Sequence, residues 1–120
     1  RASYVIMESI LGTVKSFLGV PAELVVFDGT LTMLINSAFA DLHSIGVGPR
    51  TPYRITGQDN LWSEFYMDSR LNSVQDYVCV KTRLGFDNST MTSYTIKALQ
   101  DLNDEHVHRL QWAQEEIDAE

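Results

Sequence analysis

The sequence predicts a mainly α-helical fold: a small helical bundle with a long C-terminal helix and one extended loop or short β element between helices. Three observations predict this fold. Apolar residues recur at three- and four-residue spacing in four long segments, which is typical of helices that bury one face. Segment 46–60 is rich in glycine, proline and polar residues, as loops are. The chain has 120 residues, of which 44% are hydrophobic and 21% charged, and this composition is typical of one globular domain.

The first apolar segment predicts a helix that Gly19 and Pro21 bring to an end. Its stripe consists of Met7, Ile10, Leu11, Val14, Phe17 and Leu18. We expect Met7 to be the natural start of a single domain over 7–120, with 1–6 as an upstream extension or a cloning remnant. No signal region is recognisable at the start, and no run approaches the roughly 20 apolar residues that a membrane helix needs.

The second segment predicts a helix at roughly 28–45. Its stripe consists of Leu31, Leu34, Ile35, Ala38, Leu42 and Ile45. We expect the Asp28 carboxylate to cap the N-terminus, with Phe27 packing at the entry. Gly46 suits the left-handed position that ends a helix, and Pro49 prevents its resumption.

The middle of the chain predicts a loop followed by two helices. In loop 46–60, residues 53–56 are a candidate short strand, and a short helix at 61–67 follows. Residues 71–86 predict a central helix, because apolar side chains fall on more than one of its faces. Cys79 within it is expected to be a buried, unreactive thiol.

The last segment, 92–118, predicts the longest helix, which at about 1.5 Å per residue is about 40 Å long. Its apolar stripe consists of Ile96, Leu99, Leu102, His106, Leu110, Ala113 and Ile117. Because this length exceeds what the domain's own core needs, we expect its end to project toward a partner chain. Residues 100–120 also carry −6 of the chain's net charge of −7. This segment is either a solvated helix face or a surface that must not retain DNA, or one that meets a basic partner.

Catalytic signatures are absent or broken. The run VVFDGTLT is similar to the first motif of haloacid-dehalogenase-type phosphatases, but Val26 stands where that motif needs its nucleophilic aspartate. His106 and His108 point to different faces of a helix and cannot chelate one metal there. We therefore predict a protein that is not an enzyme, with no catalytic, cofactor-binding or metal-binding residue.

Five stretches together resemble the head–tail connector (neck adaptor) proteins of long-tailed bacteriophages. They are VKSFLGV at 14–20, LINSAFADLHSIGVGP at 34–49, ITGQDNLWSEF at 55–65, YVCVKTRLGFD at 77–87 and the helix 93–112 that ends in LQW. The chain departs from the pattern at Asn88 and Ser89, where many relatives carry prolines.

The resemblance implies a virion structural protein of the phage neck. Such a subunit is small and mainly helical, and it forms a homo-oligomeric ring, usually a dodecamer, docked beneath the portal protein. The ring extends the DNA channel and receives the stopper or tail-completion protein during assembly, and the genome passes through it at ejection. The DNA would pass without sequence-specific binding, no membrane would be involved, and assembly would take place in the host cytoplasm.

We expect loop 46–60 and the C-terminal helix to carry much of the contact between chains. The candidate interface residues are Pro49, Arg50, Tyr53, Arg54, Trp62, Phe65, Tyr66, Leu110, Trp112 and Ile117. The candidate channel-facing or partner-facing acids are Asp101, Asp104, Glu105, Glu115, Glu116 and Asp118. The alternative for the aromatic residues is an ordinary place in the core. The alternative for the whole chain is a soluble helical binding module or regulator that acts through the same apolar helix faces.

Overall fold

A computed structural model of the chain describes residues 6–120, which form a helical bundle and contain no β-strand. The α-helices are α1 (Ile10–Leu18), α2 (Asp28–Ser44), α3 (Ser73–Phe86) and α4 (Ser93–Asp118). Short 3-10 helices lie at Trp62–Glu64, Ser69–Leu71 and Asn88–Thr90. The predicted fold class is therefore confirmed. The core also includes Ile6, immediately before the expected start of the domain at Met7.

Helix α3 is the centre of the bundle. It packs against α1, α2 and α4, whereas α2 and α4 have no extensive contact with each other within the described residues. Its buried side chains point in more than one direction, as the sequence predicted: Val74, Tyr77, Val78, Cys79, Val80 and Thr82. Burial raises the pKa of the Cys79 thiol to about 12, so the thiol stays protonated at neutral pH, in agreement with the expected unreactive cysteine.

An aromatic cluster joins α2 to the segment that follows it. The ring of Phe39 on α2 lies 4.7 Å from the ring of Phe65, 5.0 Å from that of Tyr53 and 6.1 Å from that of Trp62, measured between centroids. The indole N–H of Trp62 donates a hydrogen bond to the Thr13 hydroxyl at 3.0 Å, which ties the cluster to α1. The fully buried Phe39 therefore brings residues that are distant in sequence into contact.

Residues 53–56 do not form the predicted strand. The hydrogen bonds that a partner strand would make to the backbone of Ile55 are made instead by a side chain. The amide of Asn36 on α2 donates to the Ile55 carbonyl at 3.0 Å and accepts from the Ile55 N–H at 2.7 Å. Both backbone groups are buried and are satisfied by this one amide. The predicted helix at 61–67 is also shorter than expected, since only Trp62–Glu64 form a helical turn.

Replacing Asn36 with alanine is expected to lower the free energy of unfolding by about 2 kcal/mol or more. The substitution leaves the buried N–H and C=O of Ile55 without partners, and each such group costs about 1–3 kcal/mol. Urea denaturation followed by circular dichroism measures the loss. The neighbouring variant Ser37→Ala, on the exposed side of the same helix, is the control and should change stability by less than about 0.5 kcal/mol. Equal losses for the two variants would contradict this role of the amide.

A buried lysine organises the connection between α1 and α2. Lys15 is only 2% exposed, and its ammonium group donates to the carbonyls of Ala22 and Leu24 and to the Asp28 carboxylate. The distance from Lys15 Nζ to Asp28 Oδ1 is 2.8 Å. The prediction that Asp28 caps α2 is wrong, because Phe27 occupies the cap position without a side-chain hydrogen bond and Asp28 pairs with Lys15. The Phe27 ring packs edge-to-face on the ring of Phe86, with 5.3 Å between the ring centroids.

The C-terminal end of α4 lies against its own chain and does not project from the bundle as expected, whereas its contact with a partner chain stays a prediction. The Gln114 side chain accepts a hydrogen bond from the Gly48 N–H at 3.1 Å. The Arg70 guanidinium pairs with the Glu120 carboxylate at 2.9 Å. The loop after α2 and the 3-10 turn at Ser69–Leu71 extend the bundle along α4, which gives the long helix partners over its second half.

The buried stripe of α4 differs from the predicted one at a single position. Leu102 is 39% exposed, and Asn103 is buried in its place. The side chain of Asn103 faces the bundle because its amide donates to the Tyr77 carbonyl at 3.2 Å. The stripe is therefore spaced regularly by three and four residues: Ile96, Leu99, Asn103, His106, Leu110, Ala113 and Ile117.

Candidate interaction surfaces

Four of the candidate interface residues lie in the core. Trp62, Phe65, Tyr66 and Leu110 are all buried, and each belongs to the hydrophobic cluster at the centre of the bundle. A neighbouring molecule has no access to their side chains while the bundle is intact. Their burial corresponds to the alternative of ordinary core residues. For these four residues, the expectation of a surface contact is corrected, because their side chains are buried in the core cluster.

The other six candidates reach the surface. Pro49, Tyr53 and Ile117 are half-buried, and Arg50, Arg54 and Trp112 are exposed. Trp112 is 69% exposed, which is unusual for so large an apolar side chain. The Tyr53 hydroxyl donates to the Glu64 carboxylate at 2.7 Å. Burial of the ring and this carboxylate raise the pKa of Tyr53 above its ordinary value, so the phenol remains a neutral donor.

The outward side of α4 is acidic around Trp112. The six predicted acids are all exposed: Asp101, Asp104, Glu105, Glu115, Glu116 and Asp118. We call the outward face formed by Asp101, Glu105, His108, Trp112 and Glu115 the α4 outer face. These residues are spaced by four, three, four and three, so they lie along one side of the helix.

Some of these carboxylates already have cation partners within their own helix. Asp101 pairs with Lys97 at 3.1 Å and Glu105 with Arg109 at 3.8 Å. By contrast, Glu115 and Glu116 have no Lys, Arg or His nitrogen within 4.0 Å in the part of the chain that the structure describes. Within the described residues, the negative charge next to Trp112 is therefore not paired with a cation.

A second exposed surface, which the sequence reasoning missed, lies on α2 and the loop before it. Val25 is 64% exposed, Val26 71% and Met33 64%. A shallow groove of about 380 Å³ is lined by Met33 and Arg54, among other residues. We call Val25, Val26, Met33 and Arg54, with this groove, the α2 surface. Residues 29–40 contain no ionisable side chain, although one face of α2 meets solvent, and this absence of charge is the sequence signal that could have revealed the surface.

His106 occupies a polar position in the α4 core stripe. Because the Asn103 amide nitrogen donates to Tyr77, its oxygen faces His106 Nδ1 at 2.8 Å, and Nδ1 must carry the proton that joins them. Burial lowers the pKa of His106 below its ordinary value, and the charge of Arg109 lowers it further, against opposing effects of Asp76 and Glu105. The imidazole is therefore a neutral structural donor at pH 7.

The depressed pKa of His106 predicts a loss of stability in mild acid. The unfolded chain binds a proton near the ordinary pKa of 6.5, whereas the folded chain does so only at lower pH, so the free energy of unfolding falls as pH decreases below about 6.5. Urea denaturation at pH 7 and pH 5.5 measures the change. His106→Gln, which retains a donor and does not titrate, should show a smaller change than the parent chain. His108→Gln, on the exposed side of α4, is the control for the substitution itself and should change stability at pH 7 by less than about 0.5 kcal/mol.

The described residues 6–120 bring no set of metal ligands together. These residues contain no group of three His, Cys, Asp or Glu side chains close enough to hold a metal ion. The phosphatase-like Asp28 is engaged by Lys15, and Val26 stands exposed in the loop. None of the described helices has the length and apolar character needed to cross a membrane.

Comparison with known proteins gives one positive result. Neither the curated proteins nor the solved structures contain a match to the chain. A family model described as "Phage connector protein" matches residues 10–117, which include all four α-helices except the last residue of α4. The matched span begins where α1 begins and takes in both exposed surfaces. By this match over most of its length, the chain belongs to the phage connector protein family.

Proposed function

We propose that the chain is a structural protein of the phage neck that forms a ring, of twelve copies as in the resembled family, below the portal protein. The ring extends the DNA channel and receives the stopper or tail-completion protein during assembly and genome ejection. The observation that carries this proposal is the family match over residues 10–117. In the virion the protein would lie at the junction of head and tail, after assembly in the host cytoplasm.

The distribution of charge supports this function. The C-terminal segment 100–120 carries most of the net negative charge, and its acids are exposed on α4. A surface that binds the DNA backbone needs clustered lysine and arginine, so this helix would repel DNA. A channel through which a genome slides must not retain it. The six acids are therefore assigned either to the channel wall or to a contact with a partner.

The exposed residues define a narrower candidate interface than the sequence did. The buried aromatic residues serve the core, which leaves six accessible candidates: Pro49, Arg50, Tyr53, Arg54, Trp112 and Ile117. Arginine and tryptophan are enriched among the residues that dominate protein–protein binding. Ring assembly requires a contact between two different patches of the chain, and a rotation that closes.

Native mass spectrometry and electron cryomicroscopy of the chain with purified portal would test the proposal. We expect a closed ring bound to one end of the portal, and no such ring on a portal incubated without the chain. Only monomers, or no binding to portal at all, would refute the ring. The same experiment separates the alternative of a soluble binding module, which would form a complex of low copy number with its partner and no ring.

A further inference from the structure

We propose that the α2 surface of one subunit binds the α4 outer face of a second copy, with Trp112 seated beside Met33. This inference rests on the proposed function, because it names the two patches that join neighbouring subunits of the ring. It also resolves the assignment of the acids near Trp112, which then face a neighbouring chain and not the DNA channel.

The apolar part of the α2 surface is held in place from inside the subunit. Lys15 binds the carbonyls of Ala22 and Leu24, which turns the backbone of this loop inward. The valines that follow are left in solvent, where Val25 and Val26 are both more than three-fifths exposed. A preorganised loop loses little conformational freedom on binding, so it suits a contact surface.

The two surfaces are complementary in charge. Arg54 of the α2 surface has no carboxylate within 4.0 Å among the described residues, and it is exposed. Glu115 and Glu116 beside Trp112 likewise lack a cation. Two copies of a chain with net charge −7 repel each other over most of their surfaces. The uncharged helix face next to the free Arg54 is where an acidic helix can approach with least repulsion.

The two surfaces are also complementary in shape and chemistry. The groove beside Met33 has room for a flat ring because several of its lining side chains are small: Gly29, Thr32, Ser37 and Ala40. An indole ring is flat and apolar, and its burial against Met33 would remove apolar area from water on both sides. Arg54 lines the same groove, so a carboxylate beside the indole could pair with it.

The positions of the two surfaces suit a repeating assembly. Helices α2 and α4 both pack against α3 and have no extensive contact with each other. The α2 surface and the α4 outer face are different patches of the chain, so a contact between them is heterologous. Such a contact leaves one free α2 surface and one free α4 outer face on every pair, so addition continues until the ring closes.

Cysteine cross-linking within portal-bound rings tests the contact. Rings are assembled from a mixture of Met33→Cys chains and Trp112→Cys chains and treated with a short bismaleimide, while the native Cys79 stays buried. We expect covalent dimers from the mixture and none from either variant alone. Met67 is a matched control, since it is a methionine of similar exposure, at 70%, outside both surfaces. Mixtures of Met67→Cys and Trp112→Cys chains should give no dimers.

Charge substitutions give an independent readout. Met33→Glu should weaken incorporation into portal-bound rings roughly tenfold or more, because it places a carboxylate opposite the acidic helix, whereas Met67→Glu should have little effect. Circular dichroism of both variants is the check that these exposed substitutions leave the fold intact. Glu116→Lys should also weaken incorporation, since it removes a negative charge next to Trp112.

The outcomes distinguish this inference from the proposed function. Closed rings that form without 33–112 cross-links, and that tolerate Met33→Glu, would overturn the contact and leave the ring proposal standing. Normal rings in which Glu116→Lys slows the passage of DNA would also overturn it, because that residue would then face the channel. Failure of the parent chain to form a ring on the portal would overturn the proposed function and this inference together.

Discussion

Phe39→Ala should lower the free energy of unfolding by about 3–5 kcal/mol. Phe39 is fully buried, and its ring contacts Tyr53, Trp62 and Phe65, so the truncation removes apolar contacts and leaves a cavity between α2 and the following segment. Small domains have a total stability of about 5–15 kcal/mol, so a loss of this size can populate the unfolded chain at 37 °C. Urea denaturation followed by tryptophan fluorescence is suitable, because Trp62 lies in the same cluster.

A matched control separates this effect from the loss of any aromatic ring. Tyr94 is 83% exposed near the start of α4, and Tyr94→Ala should change stability by less than about 0.5 kcal/mol. A cost for Phe39→Ala below about 1 kcal/mol would show that the cluster is not the centre of the core.

Gly48→Ala is the second substitution with a large expected effect, at about 2–5 kcal/mol. Gly48 has a φ of +96°, a conformation that costs other residues about 1–2 kcal/mol. An added Cβ would also lie 2.3 Å from Cζ of Phe65, so the ring or the loop must shift, and overpacking of this kind costs about 1–3 kcal/mol. Thermal or urea denaturation measures the loss.

Gly46 isolates the backbone contribution. Its φ is +82°, but no atom lies within 4 Å of the position that a Cβ would take. Gly46→Ala should therefore cost only about 1–2 kcal/mol, from backbone strain alone. Combining Gly48→Ala with Phe65→Leu should cost less than the sum of the single variants, since the smaller side chain relieves the clash. Equal costs at Gly46 and Gly48 would show that the loop moves away from Phe65 without penalty.

Apolar periodicity was sufficient to predict the four long helices. The predicted helix at 28–45 is Asp28–Ser44 in the structure, and 92–118 is Ser93–Asp118. Both patterns work because each helix buries one continuous stripe against α3. Gly46 takes the predicted left-handed conformation for the same local reason, since the backbone there needs a positive φ.

The errors arose where a partner distant in sequence decides the local structure. Asp28 follows the rule for a helix cap but is bound instead by Lys15, thirteen residues earlier. Asn103 is buried although Leu102 is more apolar, because the Tyr77 carbonyl supplies a hydrogen-bond acceptor. The strand predicted at Ile55 has no partner strand, since the Asn36 amide satisfies its backbone. Spacing along the chain contains no information about these pairings.

For the candidate surfaces too, spacing along the chain predicts some positions, and contacts with distant residues determine the others. Trp112 lies off the apolar stripe of α4, and its exposure follows from that position. The segment around Trp62 is too short to show a periodicity, so only its contacts with Phe39 and Thr13 reveal that it is buried. From hydrophobicity alone, the valines before α2 would be expected to be buried. The sequence does not indicate that Lys15 turns their backbone inward.

The central position of α3 has a consequence for the geometry of the assembly. If neighbouring copies join through α2 and α4, the angle between successive subunits equals the angle between two helices that both rest on α3. Packed helices lie about 8–10 Å apart, and their separation and tilt depend on the size of the side chains between them. In such a ring, Val74, Val78 and Val80 on α3 would influence the curvature, although they are buried within the subunit. The number of copies that close a ring would then be specified by core packing and not by the contact surfaces themselves.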